Sequence, residues 1–111
     1  MPLKDKEIEK MFYSIGEVAE MFQVNTSLIR YYENEFEQLH PAKSTKGNRQ
    51  FTKNDIETLK LIFQLINENG YTIPGARNYL KANYQTARAK QQQLNILTEL
   101  KQFLIDLKGQ L

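Results

Sequence analysis

The chain has 111 residues, 41% of them apolar and 25% charged, which is enough for one modest core and too little for two. It contains no cysteine and a single histidine, His40, so disulfides, thiolate metal sites and histidine clusters are excluded. No apolar run approaches the roughly 18 residues of a membrane span, and the opening MPLKDKEIEK alternates charges where a signal peptide needs an apolar stretch. A soluble cytoplasmic protein is expected.

The net charge of +2 is unevenly spread. Residues 1–37 carry four basic and eight acidic side chains, whereas residues 38–60 carry five basic and two acidic ones. Lys43, Lys46, Arg49 and Lys53 follow one another with no acid between them. Such a local cluster fits either a phosphate-contacting loop or a plain solvated loop.

Residues 1–12 read as a loosely held charged arm. Ser14 and Glu17 form a capping box at the start of a first short helix, with Tyr13 and Val18 as its staple. Ile15, Val18, Ala19 and Phe22 share one face of it. The pattern breaks at Gln23-Val24-Asn25, and Asn25 is the expected N-cap of a second helix over Thr26 to about Asn34. Ile29 and Tyr32 face inward in that helix; Thr26, Ser27, Arg30 and Tyr31 face outward. After an irregular connection anchored by Phe36 and Leu39 and ending at Pro41, a short hairpin is expected. Its strands are Ala42-Lys43-Ser44 and Arg49-Gln50-Phe51, and Gly47-Asn48 supply residues that tolerate positive φ.

Thr52 caps a third helix that runs to about Asn69, with Asp55 at its third position and Gly70 just past its end. Ile56, Leu59, Ile62, Phe63 and Ile66 line one face, while Leu61 and Leu65 point elsewhere and demand a second partner. Thr72 and Pro74 start a short fourth helix carrying Ala76, Tyr79 and Leu80. Residues 82–86 mark a weak boundary. From about Tyr84 to Lys108 there is no proline or glycine, and Leu97, Leu100, Leu104, Leu107 and Leu111 follow the 3-4 spacing of a coiled-coil seam, widened by Leu94, Ile96 and Phe103. A second copy of the chain is the economical cover for that seam, intramolecular packing being the alternative. The expectation is therefore a mainly α protein with a first folded unit over 13–81 and a dimerisation helix over 84–111. Leu61 and Leu65 are assigned to the dimer contact with the seam leucines.

Two short helices joined by a three-residue turn, with the small Ala19 at the fifth position from Ile15, make a helix-turn-helix pattern, whose second helix lies in the major groove in DNA readers. The segments Tyr13-Ser14-Ile15-Gly16-Glu17-Val18-Ala19, Ile29-Arg30-Tyr31-Tyr32-Glu33, Gly47-Asn48-Arg49-Gln50-Phe51-Thr52, Asp55-Ile56 and Gly70-Tyr71-Thr72, with Pro41 between, resemble the MerR family of bacterial transcription regulators over about residues 12–81. Three departures are visible. Gln23 stands where the family usually has glycine, Asn48 where an aromatic is common, and Thr26 and Ser27 where a basic residue is frequent.

The resemblance implies a winged helix-turn-helix domain whose wing spans about residues 42–51, and a C-terminal helix paired with its two-fold mate in an antiparallel coiled coil. It also implies a homodimer on a pseudo-palindromic promoter site in double-stranded DNA, associated with the nucleoid. RNA polymerase would be engaged indirectly, because many members distort an over-long promoter spacer.

Arg30 is the first expected base or phosphate contact, the plain alternative being a surface arginine paired to Glu33 or Glu20. Thr26 and Ser27 are short enough to meet bases or phosphates at the helix start, or are simply helix-start residues. Tyr31 offers its hydroxyl to a phosphate, and Tyr32 is core. Arg49 is expected to grip phosphate, supported by Lys43 and Lys46, with Asn48 at the wing tip, Lys53 in the next helix and Ser14 at the start of the first. Glu33, Glu35 and Glu37 are expected to lie off the groove. A DNA-architectural, excisionase-like accessory factor is the alternative function and a protein-interaction module a third, the leucine-rich tail favouring the regulator. No nucleophile-base pair, metal cluster or phosphate-cradling loop suggests an enzyme, and no cofactor, metal or drug effector is expected unless a small molecule sits in a dimer cleft.

Overall fold

The computed structural model describes residues 11–110. Residues 1–10 of the expected arm and Leu111 of the seam lie outside the described residues. The order is α1 (Ile15–Phe22), α2 (Thr26–Glu35), β1 (Ala42–Lys43), β2 (Arg49–Gln50), α3 (Lys53–Phe63), a π-helical segment (Gln64–Glu68) and α4 (Ile73–Gly109).

The helix starts follow from their caps. Ser14 Oγ accepts the Glu17 amide at 3.1 Å while the Ser14 amide donates to the Glu17 carboxylate at 2.9 Å. Thr52 and Asp55 repeat the arrangement at α3, and Thr72 Oγ1 accepts the Gly75 amide at 3.1 Å to start α4. Asn25 occupies the cap position of α2 in extended backbone but makes no side-chain cap bond, contrary to expectation.

The turn between α1 and α2 passes through Gln23 at φ 56°, the left-handed region. A residue with a Cβ pays about 1–2 kcal/mol there, of which glycine's greater freedom when unfolded returns about 0.5–1 kcal/mol. Gln23→Gly is therefore expected to stabilise the fold by up to about 1 kcal/mol. An unchanged or lower urea midpoint at constant m-value would contradict this.

β1 and β2 pair antiparallel with Ala42 opposite Gln50 and Lys43 opposite Arg49. The connecting turn closes through the Gly47 amide on the Ser44 carbonyl at 2.9 Å, and Gly47 alone in that turn takes positive φ. Tyr13 extends the hairpin, exchanging 2.8 Å backbone hydrogen bonds with Phe51 in both directions. This bridge, unforeseen in the sequence, clamps the start of α1 to the end of the wing.

The core is built from Val18, Ala19, Ile29, Tyr32, Phe36, Leu39, Phe51, Leu59, Ile62 and Leu80. Phe63 docks α3 onto the first two helices, stacking on Phe22 at 4.9 Å and meeting Tyr32 edge-on at 5.3 Å. Leu61 and Leu65 are also buried inside the single chain, at 7% and 4% exposure, which corrects their assignment to the dimer contact. They share a helical stripe with Asn54 and Thr58, whose bonds to α4 show what covers that stripe: the chain's own long helix.

Two further expectations are corrected. The third helix is not α-helical to Asn69; its last turn widens into the π segment before Gly70 turns the chain at φ 75°. The boundary at residues 82–86 is absent, because α4 runs unbroken for 37 residues. Tyr84 and Ala87 are held against α3 there, so tertiary contact overrides the modest helix propensity of Asn83 and Thr86.

Candidate nucleic-acid interface

α2 presents two chemically different faces. Ile29 is fully buried and Tyr32 is 5% exposed, while Ser27, Arg30 and Tyr31 stand in solvent and Thr26 is half-buried. Arg30 Nη1 donates to Thr26 Oγ1 at 3.4 Å, one turn earlier, so the expected contacts Thr26, Ser27, Arg30 and Tyr31 form one outward stripe. Arg30 has not paired with Glu33 or Glu20; both ion pairs of α2 go elsewhere.

Glu33 accepts the Nε–H of Arg49, which joins α2 to β2. Glu35 accepts Arg77 Nη2, and Arg77 Nε donates to the Glu35 carbonyl at 3.1 Å, which joins the end of α2 to α4. Two acids that would repel DNA are thus neutralised, and among the described residues no acid pairs with Arg30. The cost falls on Arg49, whose guanidinium is committed to Glu33 rather than held out alone for phosphate. This refines its expected role, because the pair also relieves the opposition of Arg49 to Lys43 across the strands.

Lys43, Lys46 and Asn48 are exposed on the wing. The Asn48 amide donates to Ser44 Oγ at 3.2 Å, and the Ser44 amide donates to the Asn48 carbonyl at 2.7 Å, so the tip is ordered from within. Ser14 is engaged in its capping box at the end of α1 that Tyr13 clamps to the wing. Lys53 stands apart from these, at the edge of a groove between α3 and α4. The structure therefore brings together the α2 stripe, the wing and the start of α1. The residues missed in sequence reasoning are Glu33 and Tyr13, which hold the three in register; the only local hint was an acid one turn after Arg30.

Tyr32 keeps its phenolic proton above the usual tyrosine range, chiefly because burial disfavours the phenolate and secondarily because a charge on Tyr31 would repel it. An unfolded tyrosine ionises near pH 10. The folded state therefore holds the proton longer, and its contribution is whole below about pH 10 and lost as pH rises through the folded value. Thermal stability is expected to fall above pH 10 more steeply in the parent than in Tyr32→Phe; parallel profiles would refute this.

Residues 13–83 match the family described as MerR HTH family regulatory protein. The chain belongs to the MerR family. Among curated relatives, the HTH-type transcriptional regulator ZntR of Escherichia coli strain K12 is 34% identical over 68 residues, 61% of this chain and 48% of the relative. The counterpart in Escherichia coli O157:H7 gives the same figures. This chain thus matches about half the length of those relatives.

Among solved structures, HiNmlR, a MerR family regulator lacking the sensor domain and bound to promoter DNA, superposes with a TM-score of 0.56 at 21% identity, over 90% of this chain and 87% of that one. A MerR family regulator from Bacillus thuringiensis gives 0.56 at 26% identity, over 89% and 93%. The MerR fold is thereby established for this chain, and its matching family is described as one of HTH regulatory proteins. Among the described residues, no helix is long and apolar enough to cross a membrane.

Proposed function

We propose that this MerR-family protein is a homodimer that recognises a pseudo-palindromic promoter site, laying α2 in successive major grooves and the wing along the flanking backbone. Residues 13–81 act as the DNA-reading unit and residues 84–111 as the dimerisation segment, and RNA polymerase is affected through the shape of the DNA. It works in the cytoplasm on the nucleoid.

One observation carries this reading: the second half of α4 exposes Leu94, Ile96, Leu97, Leu100, Phe103, Leu104, Ile105 and Leu107, each between 47% and 63% accessible. So much apolar surface on one solvent-facing helix calls for a partner, and an identical helix matches it under two-fold symmetry. HiNmlR, of the same fold, is bound to promoter DNA. The test is sedimentation combined with selection of bound duplexes from a random pool. A dimer with a two-fold symmetric consensus supports the proposal; a monomer, or a consensus without symmetry, overturns it.

A further inference from the structure

We propose that a polar cluster between α3 and α4, built on the buried Glu57 and Arg88 with Asn54, Gln91 and Asn95 around them, sets the separation of DNA half-sites that the dimer accepts. The inference rests on the dimeric reading above and adds to it the residues that fix the angle between the DNA-reading unit and the leucine-lined tail.

The cluster sits where the apolar packing of α4 ends. Ala76, Leu80 and Ala87 are buried against the core, but beyond Arg88 every residue of α4 is exposed except the half-buried Gln91. The hydrogen bonds of the cluster extend the hold of α3 along two further turns. Arg88 Nη2 donates to Asn54 Oδ1 at 2.6 Å, and its Nη1 to Gln91 Oε1 at 2.8 Å. Gln91 Nε2 donates to the Glu57 carbonyl at 2.7 Å, and Asn95 Nδ2 to Glu57 Oε1 at 2.9 Å. Lys60 Nζ approaches Glu57 Oε2 at 3.3 Å from the solvent side.

Arg88 and Glu57 are each about nine-tenths buried, and Arg88 is satisfied by neutral amide oxygens rather than a carboxylate. Charged groups placed this way contribute little net stability, since desolvation offsets their attraction. What they supply is direction, because hydrogen bonds weaken steeply with misalignment whereas apolar contacts tolerate sliding. No glycine or proline lies between Ala76 and Lys108 to act as a hinge, so the tail points where this contact aims it.

The lever is long. Leu104 is 16 residues beyond Arg88, about 24 Å along the helix, so a tilt of about 10° at the cluster moves the seam by about 4 Å. Two-fold symmetry doubles that to about 8 Å between the two copies of α2, more than the 3.4 Å that separates successive base pairs. A firm cluster therefore selects one spacing, and a loosened one accepts neighbours.

The test uses the full chain with Arg88→Met, which keeps the stem and removes the guanidinium, and Asn95→Ala, a milder change at an exposed position. Selected half-sites are separated by the best spacing and by one and two base pairs more or fewer, and affinities are compared alongside dimer mass and thermal midpoint. The parent is expected to lose affinity on the order of tenfold per base pair of mis-spacing. The variants should hold the best site within a few-fold of the parent but discriminate by only about threefold. Folded dimeric variants with the parental spacing profile overturn the inference, as does a dimeric parent with a flat profile. If Arg88→Met does not fold, the Asn95→Ala profile decides alone. A monomeric parent removes the dimeric reading itself, and this inference with it.

Discussion

Replacing both Leu100 and Leu104 with glutamate is expected to turn the protein into a folded monomer that no longer binds its promoter site specifically. The two side chains are 52% and 54% exposed in the single chain, so little intrachain packing is lost and the helical signal should be unchanged. At a dimer seam the same positions matter greatly. Burying a leucine is worth about 1.5–3 kcal/mol, and four leave the seam of one dimer, removing about 6–12 kcal/mol before the burial of four carboxylates is counted. That is comparable with the whole free energy of a micromolar-to-nanomolar association, about 8–12 kcal/mol. A monomer also forfeits the effective concentration that links two half-sites, on the order of 10²–10⁴ in affinity. Sedimentation should report the 13.0 kDa of one chain, and binding to the selected duplex should fall to the level of unrelated DNA. A double variant that stays dimeric would place the dimer contact elsewhere.

Arg30→Ala is expected to cost about 1–3 kcal/mol on the selected site and to blur the consensus at one position of each half-site, with little loss on unrelated DNA. Arg30 is the charge on α2 that no carboxylate among the described residues neutralises, and it stands on the solvent stripe with Ser27 and Tyr31. Arg49→Ala makes the contrast. It releases the Glu33 carboxylate and loosens the wing from α2, so it should weaken all sequences about equally. Repeating the selection with each variant separates the roles: a consensus altered by Arg49→Ala and untouched by Arg30→Ala would reverse them.

The elements that were legible in the sequence are those held by near neighbours. The capping boxes at Ser14 and Thr52 form as expected because each joins residues three apart. Gly70 ends its helix because a positive φ is a property of one residue. Asn25 shows the limit of such reasoning, since its side chain was suited to a cap and makes no cap bond.

What the sequence by itself determined is the alternation of helix and turn, the outward stripe of α2 and the leucine repeat of the tail, all properties of spacing along one element. The tertiary structure alone decided which partner each face meets. Leu61 and Leu65 are apolar whether another copy or the chain's own α4 covers them, and only docking made it the latter. The pairs Glu33–Arg49 and Glu35–Arg77 and the Arg88 cluster join residues 16 to 42 positions apart. Charge and hydrogen-bonding capacity can be read from composition, but the geometry that pairs distant groups exists only once the core has brought the helices together.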